Sequence, residues 1–136
     1  MRIVLDTNVF SSALITPQGL AFQTLKLWQQ NRYDLVTSTW QIDELKGVTQ
    51  REHIQGYLRS GAAGTLINAL RDKAVVIEAL PRIEDSPDPD DNNILATAIA
   101  GGAYYLVSGD KTDLQALEKV QGVRILTVRG FMELMG

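Results

Sequence analysis

The sequence predicts an α/β domain in which a parallel sheet is layered between helices. Short aliphatic segments alternate along the 136 residues with longer segments that carry apolar residues at helical spacing. The segments at residues 2–5 and 103–108 are apolar or aromatic almost throughout, which is typical of strands buried on both faces. An acidic residue closely follows each of them, at the strand end where ligands collect in parallel sheets.

Two strands and two helices are predicted in the first third of the chain. Residues 2–5 form the first strand, which ends at Asp6. A following amphipathic helix covers one face of the sheet through Phe22, Leu25 and Trp28. Residues 33–37 form the second strand, and the sequence STWQ from Ser38 matches the capping-box pattern that opens a helix. Glu44 lies in that second helix.

A helical arm is predicted between the second and third strands. Residues 51–59 and 62–73 both have helical patterns, and Ser60-Gly61 separates them. Residues 74–78 then form the third strand. The polar segment 79–89 contains three of the four prolines and is predicted to be a loop.

The loop leads into a stretch with two acidic clusters. Asp90 and Asp91 follow Pro89 and precede a helical face made of Ile94, Leu95, Ala98 and Ile99, so Asp91 is predicted to be the N-cap. The helix ends at Gly101-Gly102, and the strand at 103–108 delivers Asp110 from its carboxyl end. A helix through Leu117, a last strand at 123–126 and a short helix at 131–135 complete the chain.

Composition limits the classes of site that the chain can form. It has no cysteine and one histidine, which excludes disulfides and thiolate sites and disfavours zinc. No apolar run is long enough to cross a bilayer, and Asp6 interrupts the amino terminus before a signal-peptide core could form. We expect one domain spanning residues 1–136, soluble and cytoplasmic. The net charge of −3 does not indicate a generally basic nucleic-acid binder.

Acidic residues at strand ends and at a helix start are expected to meet at one edge of the sheet. Asp6 and Asp110 follow strands, and Asp91 begins a helix. Asn8 and Ser108 are expected to hydrogen-bond these carboxylates. Converging carboxylates repel each other, and the usual compensation is a hard divalent cation with oxygen ligands. The pattern therefore indicates a metal site.

Four motifs, in this order, resemble the PIN-domain family, and within it the VapC-like toxin ribonucleases of toxin–antitoxin systems. They cover nearly the whole chain: VLDTN at 4–8, ELKGV at 44–48, DPDDNNILATA at 88–98 and YLVSGDKTDL at 105–114. Asp6, Glu44, Asp91 and Asp110 match the acidic positions of the family. The last motif departs from the family's GDxDL-like spacing because Thr112 shifts Asp113 by one residue, which leaves Asp113 outside the predicted set.

The resemblance implies a Rossmann-like α/β/α sandwich with a mostly parallel sheet and a helical arm. It implies that Asp6, Glu44, Asp91 and Asp110 are both the catalytic residues and the ligands of Mg²⁺ or Mn²⁺, and that water attacks a phosphodiester of RNA. Asp91 or Glu44 would accept the proton of the water. The resemblance also implies a small antitoxin partner, and it is compatible with a homodimer.

Other interpretations of the same residues stay open from the sequence alone. Asp91 could serve only as a helix cap, and a glutamate such as Glu44 is usually a solvated residue of a helix surface. A receiver-type phosphoaccepting domain is also doubly wound with clustered aspartates. A PIN-like module that binds RNA or a partner without cutting is the third candidate.

Overall fold

One sheet organises the computed structural model, which describes residues 1–109 and 112–136. In chain order its strands are β1 (Arg2–Leu5), β2 (Asp34–Ser38), β3 (Val75–Ile77), β4 (Tyr105–Ser108), β5 (Lys119–Val120) and β6 (Val123–Thr127). Their order across the sheet is β3-β2-β1-β4-β6-β5, and every neighbouring pair is parallel except β5 with β6. The predicted α/β fold with a mostly parallel sheet is confirmed.

Helices pack on both faces of this sheet. They are α1 (Thr7–Ile15), α2 (Leu20–Gln29), α3 (Thr39–Thr49), α4 (Glu52–Gln55), α5 (Ala62–Lys73), α6 (Pro89–Ala100), α7 (Thr112–Leu117) and α8 (Val128–Met135). Ile3 and Leu5 of β1 face a core shared with α1, α2, α3, α5 and α8. Val4 faces the opposite core, which α6 dominates. The alternation along β1 explains why this strand is apolar on both faces.

Several parts of the chain differ from the predicted helices and strands. Residues 7–15 form the helix α1, whereas no helix was predicted there. Within residues 51–59 the helix is limited to α4, which buries no side chain and stops at Gly56. A helical pattern without a buried face gains little from packing, so it does not extend as a helix here. The two-residue antiparallel strand β5 was not predicted, because its Lys119 and Val120 are too few to give a strand pattern.

The prediction that Asp91 is the N-cap of α6 is wrong, because the cap lies three residues earlier in the chain. Asp88 is the N-cap, and its Oδ1 accepts a hydrogen bond from the Asp90 backbone N–H at 2.9 Å. Pro89 occupies the first helical position, where its missing N–H costs nothing and its fixed φ suits a helix. Asp91 is therefore a buried residue of the first turn, not its cap.

Close packing fixes where α6 crosses the sheet. A Cβ atom added to Gly101, at the end of α6, would collide with Cγ1 of Val36 in β2. Glycine at this position lets the helix end lie directly on the strand.

No helix in the described part of the chain is long and apolar enough to cross a membrane.

Candidate metal centre

The candidate site lies where the chain crosses from one half of the sheet to the other. From β1 the chain first adds β2 and β3 on one side, and β4 and β6 later follow on the other side. This reversal between β1 and β4 creates a crevice outside their carboxyl ends, the usual ligand position in open α/β sheets. The Asp6 backbone N–H donates to Val107 O at 2.8 Å, which holds the two strand ends together.

Asp6 lies at the centre of this edge. It follows β1 directly, is the N-cap of α1 and is fully buried. Its Oδ1 accepts from the Thr7 backbone N–H at 2.7 Å, and its Oδ2 accepts from the Ser108 hydroxyl at 3.0 Å. One bond comes from the start of α1 and the other from the end of β4, so the carboxylate has a fixed orientation.

Helix α6 carries Asp91 to the same edge. The end of α6 lies at the start of β1, where Arg2 Nη1 donates to Gly101 O at 2.8 Å. Thr97, one turn earlier in α6, lies at the end of β2, where its hydroxyl donates to Ser38 Oγ at 2.9 Å. The helix therefore runs opposite to the strands, and its first turn lies at their carboxyl ends. Asp91 is 1% exposed, and Ser86 Oγ approaches its Oδ2 at 3.5 Å.

The turn before α6 is fixed by an amide clamp. The Ser86 backbone N–H donates to Asn92 Oδ1, and Asn92 Nδ2 donates to Ser86 O, each at 2.8 Å. This pair of bonds ties the loop to the first turn of α6 and places the Ser86 hydroxyl beside Asp91.

Glu44 lies in α3, which packs on the other side of the sheet from α6. It is half-buried and lies one turn beyond Gln41, so the two side chains share a helix face. Gln41 is fully buried, and its Nε2 donates to Leu5 O at 2.6 Å, while its Oε1 accepts from Thr37 Oγ1 at 2.6 Å. These bonds fix the Glu44 face of α3 against the end of β1.

Gln41 holds α3 against β1 and β2, although its side chain was predicted to complete a capping box. The pattern STWQ predicted a capping box, and half of it forms, since Ser38 Oγ accepts from the Gln41 backbone N–H at 3.1 Å. The Gln41 side chain, however, bonds to β1 and β2 instead of reaching back to the cap. The only signal in the sequence for this role of Gln41 was its position one turn before the candidate Glu44.

The fourth predicted ligand, Asp110, lies outside the described residues, as does the side chain of Asp113. The described chain ends on this side at Gly109, whose backbone N–H donates to Asn8 Oδ1 at 3.2 Å. Asn8 was expected to bond a carboxylate, and this bond shows it supporting the turn after β4. Ser108, expected in the same role, does donate to Asp6.

The residues present suit a hard cation. Ionised carboxylates are costly to bury unless they are paired or coordinate a metal, and Asp6 and Asp91 are both almost fully buried at one edge. The hydroxyl of Thr7, the residue after Asp6, is also buried and has no hydrogen-bond partner among the residues described. Carboxylate oxygens are among the ligands that suit Mg²⁺ and Mn²⁺.

The described side chains include only part of the predicted ligand set, because Asp110 lies outside them. Among the residues whose side chains the structure describes, no three Asp, Glu, His or Cys side chains form a metal-binding group.

Sequence comparison identifies the family. The family model described as PIN domain matches residues 2–112, which contain most of the chain and three of its four motifs in full. The chain belongs to the PIN-domain family. PIN domains are generally nucleases that depend on divalent metal ions.

Two relatives extend the comparison. The PIN domain is 28% identical over 112 residues to the uncharacterised protein MJ1680 of Methanocaldococcus jannaschii, covering 82% of this chain and 72% of that one. Its fold is similar to a chain in the crystal structure of VapBC2 from Rickettsia felis bound to a DNA fragment from their promoter. That match has a TM-score of 0.62 and 16% identity, and covers 93% of this chain and 98% of the other. At this identity the likeness shows the fold.

Proposed function

We propose that this PIN domain is a Mg²⁺- or Mn²⁺-dependent endoribonuclease that hydrolyses phosphodiester bonds of RNA. The observation that supports it most strongly is the burial of two carboxylates, Asp6 and Asp91, at the crevice between the ends of β1 and β4. We assign metal binding and catalysis to four residues: Asp6, Glu44, Asp91 and Asp110.

Each described acid has a role that follows from its surroundings. Asp6 and Asp91 are held by hydroxyl groups in buried positions, which suits ligands that must not move. Glu44 is half-buried, so solvent can reach it, and we assign it the proton of the attacking water. When bound, Mg²⁺ would acidify its water, offset the charge of the phosphate and align the attacking and leaving oxygens.

The biological setting is proposed from the fold neighbour. VapBC2 of Rickettsia felis was crystallised on a DNA fragment from its promoter. By analogy, we propose that this chain is a cytoplasmic, single-domain toxin of residues 1–136, restrained by a small antitoxin and able to form a homodimer.

The receiver-type alternative disagrees with the sheet. Flavodoxin-like domains, which include receivers, place the third strand beside the first, in the order 2-1-3-4-5. Here β3 lies beside β2 at the edge, and β1 contacts β2 and β4. A non-cutting PIN domain that binds RNA is the alternative that the following experiment addresses.

An RNA cleavage assay tests the proposal. Purified protein and an Asp6→Asn variant, prepared identically, are incubated with end-labelled RNA and Mg²⁺, with EDTA as the metal-free control. We expect cleavage by the unmodified protein alone, and only with Mg²⁺. Equal cleavage by both proteins would identify a contaminating nuclease, and binding without cleavage would favour the non-cutting module.

A further inference from the structure

We propose that a cleft next to Asp6 binds the sugar-phosphate backbone of the RNA beside the scissile bond, with Arg129 contacting a phosphate. The edge cleft, as we call it, is lined by residues that include Ser12, Leu20, Ser108, Gly109, Thr127 and Arg129. This inference rests on the proposed ribonuclease function and names the position of the substrate in it.

The edge cleft adjoins the candidate metal centre. Ser108 lines the cleft and also donates its hydroxyl to Asp6 Oδ2 at 3.0 Å, so one side chain separates the cleft from the carboxylate. The cleft is bounded by the starts of α2 and α8 and by the ends of β4 and β6. An RNA strand that lies in it therefore passes directly to the carboxyl edge of β1.

The size of the cleft suits about one nucleotide. Its volume is about 450 Å³, within the roughly 300–1,000 Å³ that is typical of small-molecule sites. It is also open to solvent along the strand ends, so a polymer can enter and leave it. A larger substrate than a single nucleotide would continue over the acidic edge.

The described lining offers contacts that suit a sugar-phosphate backbone. Hydroxyls, backbone N–H groups and arginine are the usual contacts to phosphate and sugar. Ser12 and Thr127 supply hydroxyls, and Thr127 Oγ1 accepts from the Gly130 N–H at 2.9 Å, which leaves its own proton to donate.

Arg129 is the charged group of the cleft. It is exposed in the first turn of α8 and forms no ion pair with any residue that the structure describes. Two other basic side chains are already occupied: Arg2 bonds Gly101 O, and Lys73 bonds the carbonyls that end α2 and lies over the Trp28 ring. The guanidinium fork of Arg129 can bind two phosphate oxygens at once.

The test measures RNA binding separately from cleavage. Arg129→Gln is compared with Arg124→Gln, a control that removes an exposed arginine from the opposite end of β6. Both substitutions are made in an Asp6→Asn background, and binding of a fluorescent single-stranded RNA is followed by anisotropy at several salt concentrations. A phosphate contact contributes about 0.7 to the slope of log affinity against log salt.

We expect Arg129→Gln to reduce the magnitude of that slope by about 0.7, and to weaken RNA binding about 10-fold, near the lower end for a hydrogen bond to a charged group. Arg124→Gln leaves both unchanged, and Arg129→Lys restores the slope. With Asp6 present, Arg129→Gln raises KM and leaves kcat nearly unchanged, because the contact binds ground state and transition state alike.

The outcomes separate this inference from the proposed function. If Arg129→Gln and Arg124→Gln give the same slope while the unmodified protein cleaves RNA, the edge cleft is not the backbone site and the nuclease proposal stands. If the magnitude of the slope falls only for Arg129→Gln and the unmodified protein does not cleave, the backbone site stands and the nuclease proposal fails. Absence of RNA binding by every variant overturns the backbone site.

Discussion

Two neighbouring aspartates allow a matched test of metal binding. Asp90 and Asp91 both lie in the first turn of α6, so both experience the same helix dipole, but Asp90 is exposed and Asp91 is 1% exposed. Asparagine has nearly the size of aspartate and can still accept the contact from Ser86. Asp91→Asn therefore removes a buried charge with little change of shape, and Asp90→Asn is its control.

The expected effect appears as a stabilisation by metal. A ligand that binds only the folded state at 100 times its Kd adds about 2.7 kcal/mol to the free energy of unfolding. For a domain of 136 residues, this corresponds to an increase in Tm of about 9 °C. We expect the unmodified protein and Asp90→Asn to gain this shift with Mg²⁺ or Mn²⁺, and Asp91→Asn to gain little.

Differential scanning fluorimetry over a range of Mg²⁺ and Mn²⁺ concentrations provides the measurement, with Ca²⁺ and EDTA for comparison. If Asp91→Asn responds to metal as fully as Asp90→Asn, Asp91 is a structural residue of α6 and our assignment is wrong.

Three further predictions concern the scaffold. Gln41→Ala should lower the free energy of unfolding by about 2–4 kcal/mol, since it leaves Leu5 O and Thr37 without their partner. Urea unfolding of this variant and of Gln23→Ala, which changes an exposed glutamine, checks the prediction, and equal stability of the two variants would contradict it. Gly101→Ala should cost about 1–3 kcal/mol through its collision with Val36. Gly64→Ala in the first turn of α5, where an added Cβ meets no other atom, should be neutral or stabilising. Burial raises the pKa of the Tyr33 hydroxyl. The contribution of this pKa shift to stability is therefore complete below the unfolded-state pKa of 10.0, and it is lost above that pH by about 1.4 kcal/mol per pH unit. Tyr33→Phe, but not Tyr57→Phe, should flatten the dependence of urea stability on pH between pH 9 and 11.5.

The sequence predicted the sheet well because its strongest signals are periodic. The apolar strand β1 and the buried strand β4 could be assigned together with the residues that follow them, and Ser108 was correctly expected to bond a carboxylate. Parallel strands place their ends at one edge, so the meeting of Asp6 and the first turn of α6 followed from chain order alone.

Details that depend on side-chain direction could not be predicted. The start of α6 is an exception, because Pro89 was a usable signal: proline favours the first helical position, which makes Asp88 the cap and puts Asp91 in the first turn. Gln41 was assigned to a capping box because its partners, Leu5 O and Thr37, are brought to it only by tertiary packing. The edge cleft joins residues from α1 to α8, so no local pattern reveals it.

The central claim is that the carboxyl edge of β1 binds a divalent cation, and calorimetric titration with Mn²⁺ tests it most directly. We predict saturable binding to the unmodified protein, and its loss in Asp6→Asn while the far-ultraviolet circular dichroism spectrum is retained. Saturable binding of equal affinity in the Asp6→Asn variant, or none in the unmodified protein, would contradict the account.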